Sequence, residues 1–204
     1  MPKPINIQLK HELLENALSL LKETGGTDFS MRELAGRVDY SVTAVYRCFE
    51  SRSDLLKAMQ IALFSDLVET LIRDTNPGQS TRAQIRTLGR DFLTWAVQHP
   101  ANFHFMFHTT EAEALLAEEE QALARMPLRH LETLLAAGNE RGDLTVSAPG
   151  PLATMLFATL HGLVSLHLAQ RLDTQQVESP VDFYDTWATH WLDALLTTNP
   201  TNSA

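Results

Sequence analysis

The sequence predicts an all-α protein, and three observations predict it. Apolar residues recur at spacings of three and four through most of the chain. Serines and threonines stand at the starts of those stretches, while glycines and prolines stand at their ends. Alternation of the strand type never runs beyond a few residues.

The first helix is expected from Gln8 to Glu23, with Leu13, Leu14, Ala17, Leu18 and Leu21 as its inner stripe and Gly25-Gly26 as its stop. Ser30 is placed to cap a second helix, with Glu33 three residues on as in a capping box. Its inward side is Leu34, Ala35 and Val38. Ser41 caps a short third helix, with Val45 and Phe49 facing in. Ser53 is expected to cap a fourth, carrying Leu55, Leu56, Met59 and Leu63 and reaching Arg73 before Asn76-Pro77-Gly78. Thr81 to Gln98 forms a fifth, ending at His99-Pro100, and the aromatic segment Asn102–His108 follows. Thr110 caps a Glu/Ala-rich helix that Pro127 kinks or breaks before a stop at Gly138. The apolar stretch from Pro151 to Arg171 and a final helix from Ser179-Pro180 to about Thr197 complete the chain.

Composition narrows the function. With 44% apolar residues the chain can bury a substantial core. The lone cysteine, Cys48, excludes an internal disulfide and fits a reducing, cytoplasmic setting. Neither a signal peptide nor an uninterrupted apolar run of membrane-spanning length is read, so no membrane partner is expected. The net charge of −9 is uneven. Residues 1–60 carry eight Lys+Arg and eight Asp+Glu, and residues 61–204 carry eight Arg against seventeen acids. Phosphates would repel the second part and not the first.

Chemistry concentrates between residues 29 and 49. Two short helices joined by a tight turn, the second with a small exposed face, form the pattern that inserts a helix into a DNA major groove. Ser41, Thr43, Tyr46 and Arg52 are candidate phosphate contacts. Val42, Thr43, Ala44 and Arg47 are candidate base contacts, since Thr and Ala meet thymine methyls and Arg47 can fork onto guanine. A packed helical hairpin with no DNA role has the same pattern.

Residues 9–60 closely resemble the N-terminal domain of the TetR family of transcriptional regulators. The match covers the Gly-Gly stop, Phe29-Ser-Met-Arg-Glu-Leu-Ala35, Ser41-Val-Thr-Ala-Val-Tyr-Arg-Cys-Phe49, Ser51-Arg52 and Leu55-Leu56. The resemblance implies phosphate contacts from Tyr46 and Arg52, and an approach to the bases by Val42 to Ala44 and by Arg47. Asp39 stands where the family has a turn glycine, so an Asp must adopt the left-handed conformation. Cys48 replaces a frequent histidine, and Arg52 replaces a lysine.

A weaker resemblance continues past residue 80, through His99-Pro100, Phe103, Met106, Phe107 and Ala158–Val164. It implies a DNA-binding domain over residues 1–54 and a larger ligand-binding and dimerisation domain over 55–204. Candidate pocket residues on the earlier helices are Phe92, Trp95, Phe103, Met106 and Phe107; those on the later one are Met155, Phe157 and His161. Taken singly, each is equally explained as core. Leu156, Leu160, Phe183, Tyr184, Trp187, Trp191 and Leu195 form stripes on the last two helices that either close the monomer's core or build half of a four-helix seam. His104 and His108, with Glu111 and Glu113 nearby, lack the spacing of a full metal site. No metal, cofactor or catalytic residue is assigned.

The expectation is a homodimeric, ligand-responsive regulator, a repressor of a palindromic double-stranded DNA operator released by a small hydrophobic effector. The alternative is a helical ligand-binding or protein-docking module that has lost specific DNA binding.

Overall fold

A computed structural model describes residues 6–73, 76–108, 118–173 and 177–196, together with their side chains except those of Trp191 and Leu195. Ten helices are described: α1 Ile7–Thr24, α2 Met31–Arg37, α3 Val42–Cys48, α4 Arg52–Arg73, α5 Thr81–Gln98, α6 Pro100–His108, α7 Glu118–Ala124, α8 Met126–Glu140, α9 Pro149–Leu168 and α10 Pro180–Leu195. No strand occurs among the described residues. The expected Thr110 cap, with Glu111 and Glu113, lies outside them.

The chain forms two compact units, Met1–Asp66 with His99–Ala124, and Leu67–Gln98 with Arg125–Ala204. The described residues of the expected three-helix segment 1–54 lie within the first.

In the first unit, Asn6 caps α1 and Gly25 ends it in the left-handed conformation at φ 74°. The buried stripe is Leu9, Leu13, Ala17, Leu20 and Leu21. Leu14 and Leu18 fall on its flanks, half-buried, because the stripe follows Leu20 rather than Leu18. Ser30 caps α2, its hydroxyl accepting from the Glu33 amide at 3.1 Å. Ser41 caps α3 in the same way through Ala44, at 3.2 Å. Helix α2 packs on both α1 and α3.

The turn between them adopts the conformation expected of it. Asp39 has φ 53°, and the Tyr40 amide donates to the Ala35 carbonyl at 3.1 Å. That six-to-one bond across a left-handed residue is a Schellman end to α2. Glycine avoids the Cβ penalty there, so Asp39→Gly should raise stability by about 1 kcal/mol, read as a higher urea midpoint. An unchanged or lower midpoint would contradict the turn's strain.

The fourth helix starts earlier than its serines suggested. Ser51, not Ser53, accepts from the Asp54 amide at 3.1 Å, while the Asp54 carboxylate accepts from the Glu50 amide at 3.1 Å. The two bonds satisfy one amide of the first helical turn and one just ahead of it. Gln60, fully buried, reaches the Met106 carbonyl of α6 at 3.5 Å, and Phe64 meets Phe107 edge-on at 5.7 Å.

In the second unit α5 is the central helix, contacting α8, α9 and α10. Gly138, expected as a stop, is instead buried inside α8. A Cβ there would lie 2.7 Å from Thr81 Cγ2 and 2.8 Å from Leu144 Cδ1, so the glycine serves close packing. The left-handed residue after α8 is Gly142, at φ 74°. Helix α9 begins at Pro149, two residues before the expected Pro151, and buries Ala153, Leu156, Leu160 and Val164. Its composition and length would also suit a membrane crossing, although Thr154, Thr159, His161 and Ser165 interrupt any continuous apolar run.

Candidate nucleic-acid interface

Helix α3 is divided sharply between an inner and an outer side. Val45, Cys48 and the following Phe49 are buried at 0%, 5% and 0% exposure. Thr43, Tyr46 and Arg47 are exposed, and Val42 and Ala44 are intermediate. One turn of apolar anchors therefore presents a hydroxyl, a phenol and a guanidinium outward. Ser41 spends its hydroxyl on the helix cap, which leaves lone-pair capacity but fixes its position. Burial pushes the Cys48 thiol up, so at neutral pH it behaves as a small packing residue.

The cations of this unit divide into engaged and available ones. Arg37 pairs with Glu23, Lys57 pairs with Glu120 at 2.8 Å, and Lys10 lies 5.1 Å over the Phe49 ring. Arg52 donates to the carbonyl of Phe29 at 2.5 Å and to that of Thr27. Lys22, Arg32 and Arg47 are exposed and form no ion pair among the described residues. Tyr40, passed over in the sequence, is 45% exposed next to the cap of α3, comparable with Tyr46 at 48%. An aromatic residue immediately before a capping serine was the available signal.

The Glu23–Arg37 pair joins the C-terminal turns of α1 and α2. Hydrogen bonds from Arg37, and then Ser19, lower the Glu23 carboxyl from 4.5 to about 2. A depressed carboxylate stabilises the fold above its ordinary value, and that contribution disappears as pH falls through the folded one. The Glu23 carboxyl should therefore titrate near 2 by carbon NMR, and its contribution should be lost between pH 4.5 and about 2. A midpoint near 4.5 would show that the pair does not form in solution.

The expected pocket residues are distributed over both units. Phe92 and Phe157 meet at 5.3 Å between ring centroids and line one cavity of about 20 Å³ in the second unit. Leu71, Ile85, Leu88, Leu131, Leu156 and Leu160 complete most of its wall. Trp95 is buried in the same unit, His161 is half-buried beside Phe157, and Met155 is 45% exposed on α9. Phe103 and Met106 are buried in the first unit, where the Phe103 ring lies 5.1 Å from that of Phe107.

Leu160, Phe183, Tyr184 and Trp187 line a more open groove of about 460 Å³, together with Thr159, Leu163, Ala188 and His190. Trp187 is 55% exposed there, whereas Leu156, Leu160 and Tyr184 are buried within the unit. No cluster of three metal-ligating side chains is found among the described residues.

Comparison with known proteins decides the family. Residues 13–59 match the model of bacterial regulatory proteins of the tetR family, and residues 85–190 match that of the tetracyclin repressor-like C-terminal domain. The chain belongs to the TetR family. TetR-family proteins are DNA-binding transcription regulators rather than enzymes.

An HTH-type transcriptional regulator of Mycobacterium tuberculosis is 25% identical over 153 residues, covering 72% of this chain and 65% of that protein. The chain thus spans just under two thirds of that relative's length. The probable HTH-type transcriptional regulator YttP of Bacillus subtilis is 21% identical over 72% of each chain. Among solved structures, a protein of unknown function from Rhodococcus sp. RHA1 gives a TM-score of 0.78 at 22% identity, covering 93% of this chain and 95% of that one. A tetR-family regulatory protein from Rhodococcus RHA1 gives 0.69 at 15% identity, covering 91% and 96%. These structural likenesses support the TetR-like fold.

Proposed function

We propose that this TetR-family chain works in the cytoplasm as a homodimeric, ligand-responsive repressor that binds a palindromic DNA operator. The two-sided α3 carries this reading: buried Val45, Cys48 and Phe49 hold Thr43, Tyr46 and Arg47 outward. Tyr46 and the capped Ser41 suit phosphates, while Val42, Thr43, Ala44 and Arg47 suit base edges.

The effector site is assigned to the cavity between Phe92 and Phe157. Its wall is almost entirely apolar, and the one phenol on it, Tyr184, already donates to the Arg86 carbonyl at 3.2 Å. An uncharged hydrophobic ligand fits that chemistry. A volume of about 20 Å³ holds little more than a water molecule, so an effector must part the aromatic pair to enter. Release of DNA then equals the ligand's differential affinity for the parted and closed states, and the coupling is reciprocal.

Dimerisation is assigned to the outer side of α9 and α10. A half-exposed Trp187 in an apolar groove, with Met155 and Leu166 also exposed on α9, is costly surface for a monomer to keep in water. Two-fold pairing would also present two recognition helices to one operator. Sedimentation of the wild-type chain should give a dimer, and Trp187→Glu should give a folded monomer with weakened operator binding. A wild-type monomer, or a Trp187→Glu dimer, would refute the seam.

A further inference from the structure

Arg52 occupies the first position of α4, where the positive end of the helix dipole disfavours a cation. It is nonetheless held there by three contacts. One guanidinium nitrogen donates to the Phe29 carbonyl at 2.5 Å, the other donates to the Thr27 carbonyl, and the group lies 5.4 Å over the Phe29 ring. Both carbonyls belong to the connection between α1 and α2, and Phe29 is itself 3% exposed. The residue after it, Ser30, caps α2, and α2 packs on α3.

We infer that Arg52 is a positioning residue of the DNA reader rather than a phosphate contact. Its fork ties the start of α4 to the start of α2, and through α2 it sets the seat of α3. Two part-buried carbonyls need donors, and the planar guanidinium supplies two in fixed geometry. A lysine keeps the charge but gathers its donors on one nitrogen and lacks the planar group that forks onto two oxygens and stacks on a ring. The arginine in this position therefore changes the role of the side chain from external charge to internal clamp. The inference depends on the DNA-binding reading only for the part of its test that uses DNA.

Arg52→Lys and Arg52→Gln separate the two roles. In the free 204-residue chain, amide exchange should accelerate about tenfold at Glu33 and Leu34, which depend on Ser30, in both variants. Exchange in α5 and α9 should stay at the wild-type rate, which excludes global destabilisation. On a random-sequence duplex both variants should lose affinity together, about fivefold, with the wild-type salt slope. The inference is overturned if exchange at Glu33 and Leu34 is unchanged in both variants. It is also overturned if Arg52→Lys binds like wild type while Arg52→Gln lowers the salt slope by about one. Failure of the wild-type protein to bind any duplex would count against the DNA-binding reading, and the exchange result would still decide the clamp.

Discussion

Gly89→Val is expected to destabilise the protein by about 3 kcal/mol, the sum of overpacking and a lost buried hydrogen bond. Gly89 lies on the buried side of α5 where Tyr184 of α10 crosses it. A Cβ at this position would sit 2.7 Å from Tyr184 Cζ, closer still to the hydroxyl, and 3.3 Å from Leu160 Cδ1. The ring has little room to yield, because Tyr184 is 5% exposed and its hydroxyl is bonded to the Arg86 carbonyl. Burial also pushes that phenol's pKa up, in keeping with a neutral donor in an apolar seam.

Two effects compete in Gly89→Ala. Helix propensity favours alanine by about 1 kcal/mol, while the clash costs about 1–3 kcal/mol. The clash should win, and Tyr184→Phe in the same chain should recover part of the loss by removing the nearest atom. Urea unfolding of the two single variants and the double variant tests this. Additive losses would show that the two residues do not meet as described.

Arg47→Ala should cost about 1–3 kcal/mol against the preferred operator and relax selectivity at one base pair in each half-site. Its guanidinium is exposed at the end of α3 with no ion pair among the described residues, so it has no structural bond to lose. Melting temperature should stay at the wild-type value. Tyr46→Phe should differ in kind, weakening binding to all sequences alike, because a phosphate contact carries no base information. Titration of both variants against the operator and its single-base variants separates the two roles. Equal affinities for wild type and both variants would remove these residues from the interface.

The local punctuation of the fold was legible in the sequence because it rests on single residues with few alternatives. Ser30, Ser41 and Ser179 each cap the helix they precede, and Asp39 takes the left-handed turn. Ambiguity entered where two residues could serve equally. Ser51 and Ser53 are both capable caps, and the choice fell to the one whose helix lets Asp54 reach back to the Glu50 amide. Gly138 could end a helix or admit a neighbour, and only the approach of Thr81 and Leu144 separates the two.

The candidate site was legible on α3, where a seven-residue helix has one buried and one exposed side. Arg52 was less so, since a basic residue before a helix looks the same in sequence whether it faces a phosphate or two carbonyls. The family resemblance offered Phe92, Phe103, Phe107 and Phe157 as pocket candidates without saying which of them meet. The structure brings Phe92 to Phe157 and Phe103 to Phe107, in different units. Partner choice between helices depends on tertiary packing, which a single helix's pattern does not encode.

The most direct measurement is selection of bound duplexes from a random pool at moderate salt, using the purified wild-type chain. The account predicts a two-fold-symmetric consensus whose half-sites are separated by about one helical turn, 34–36 Å. Recovery of no preferred sequence, with and without a small-molecule extract of the source cells, would contradict a dimeric sequence reader.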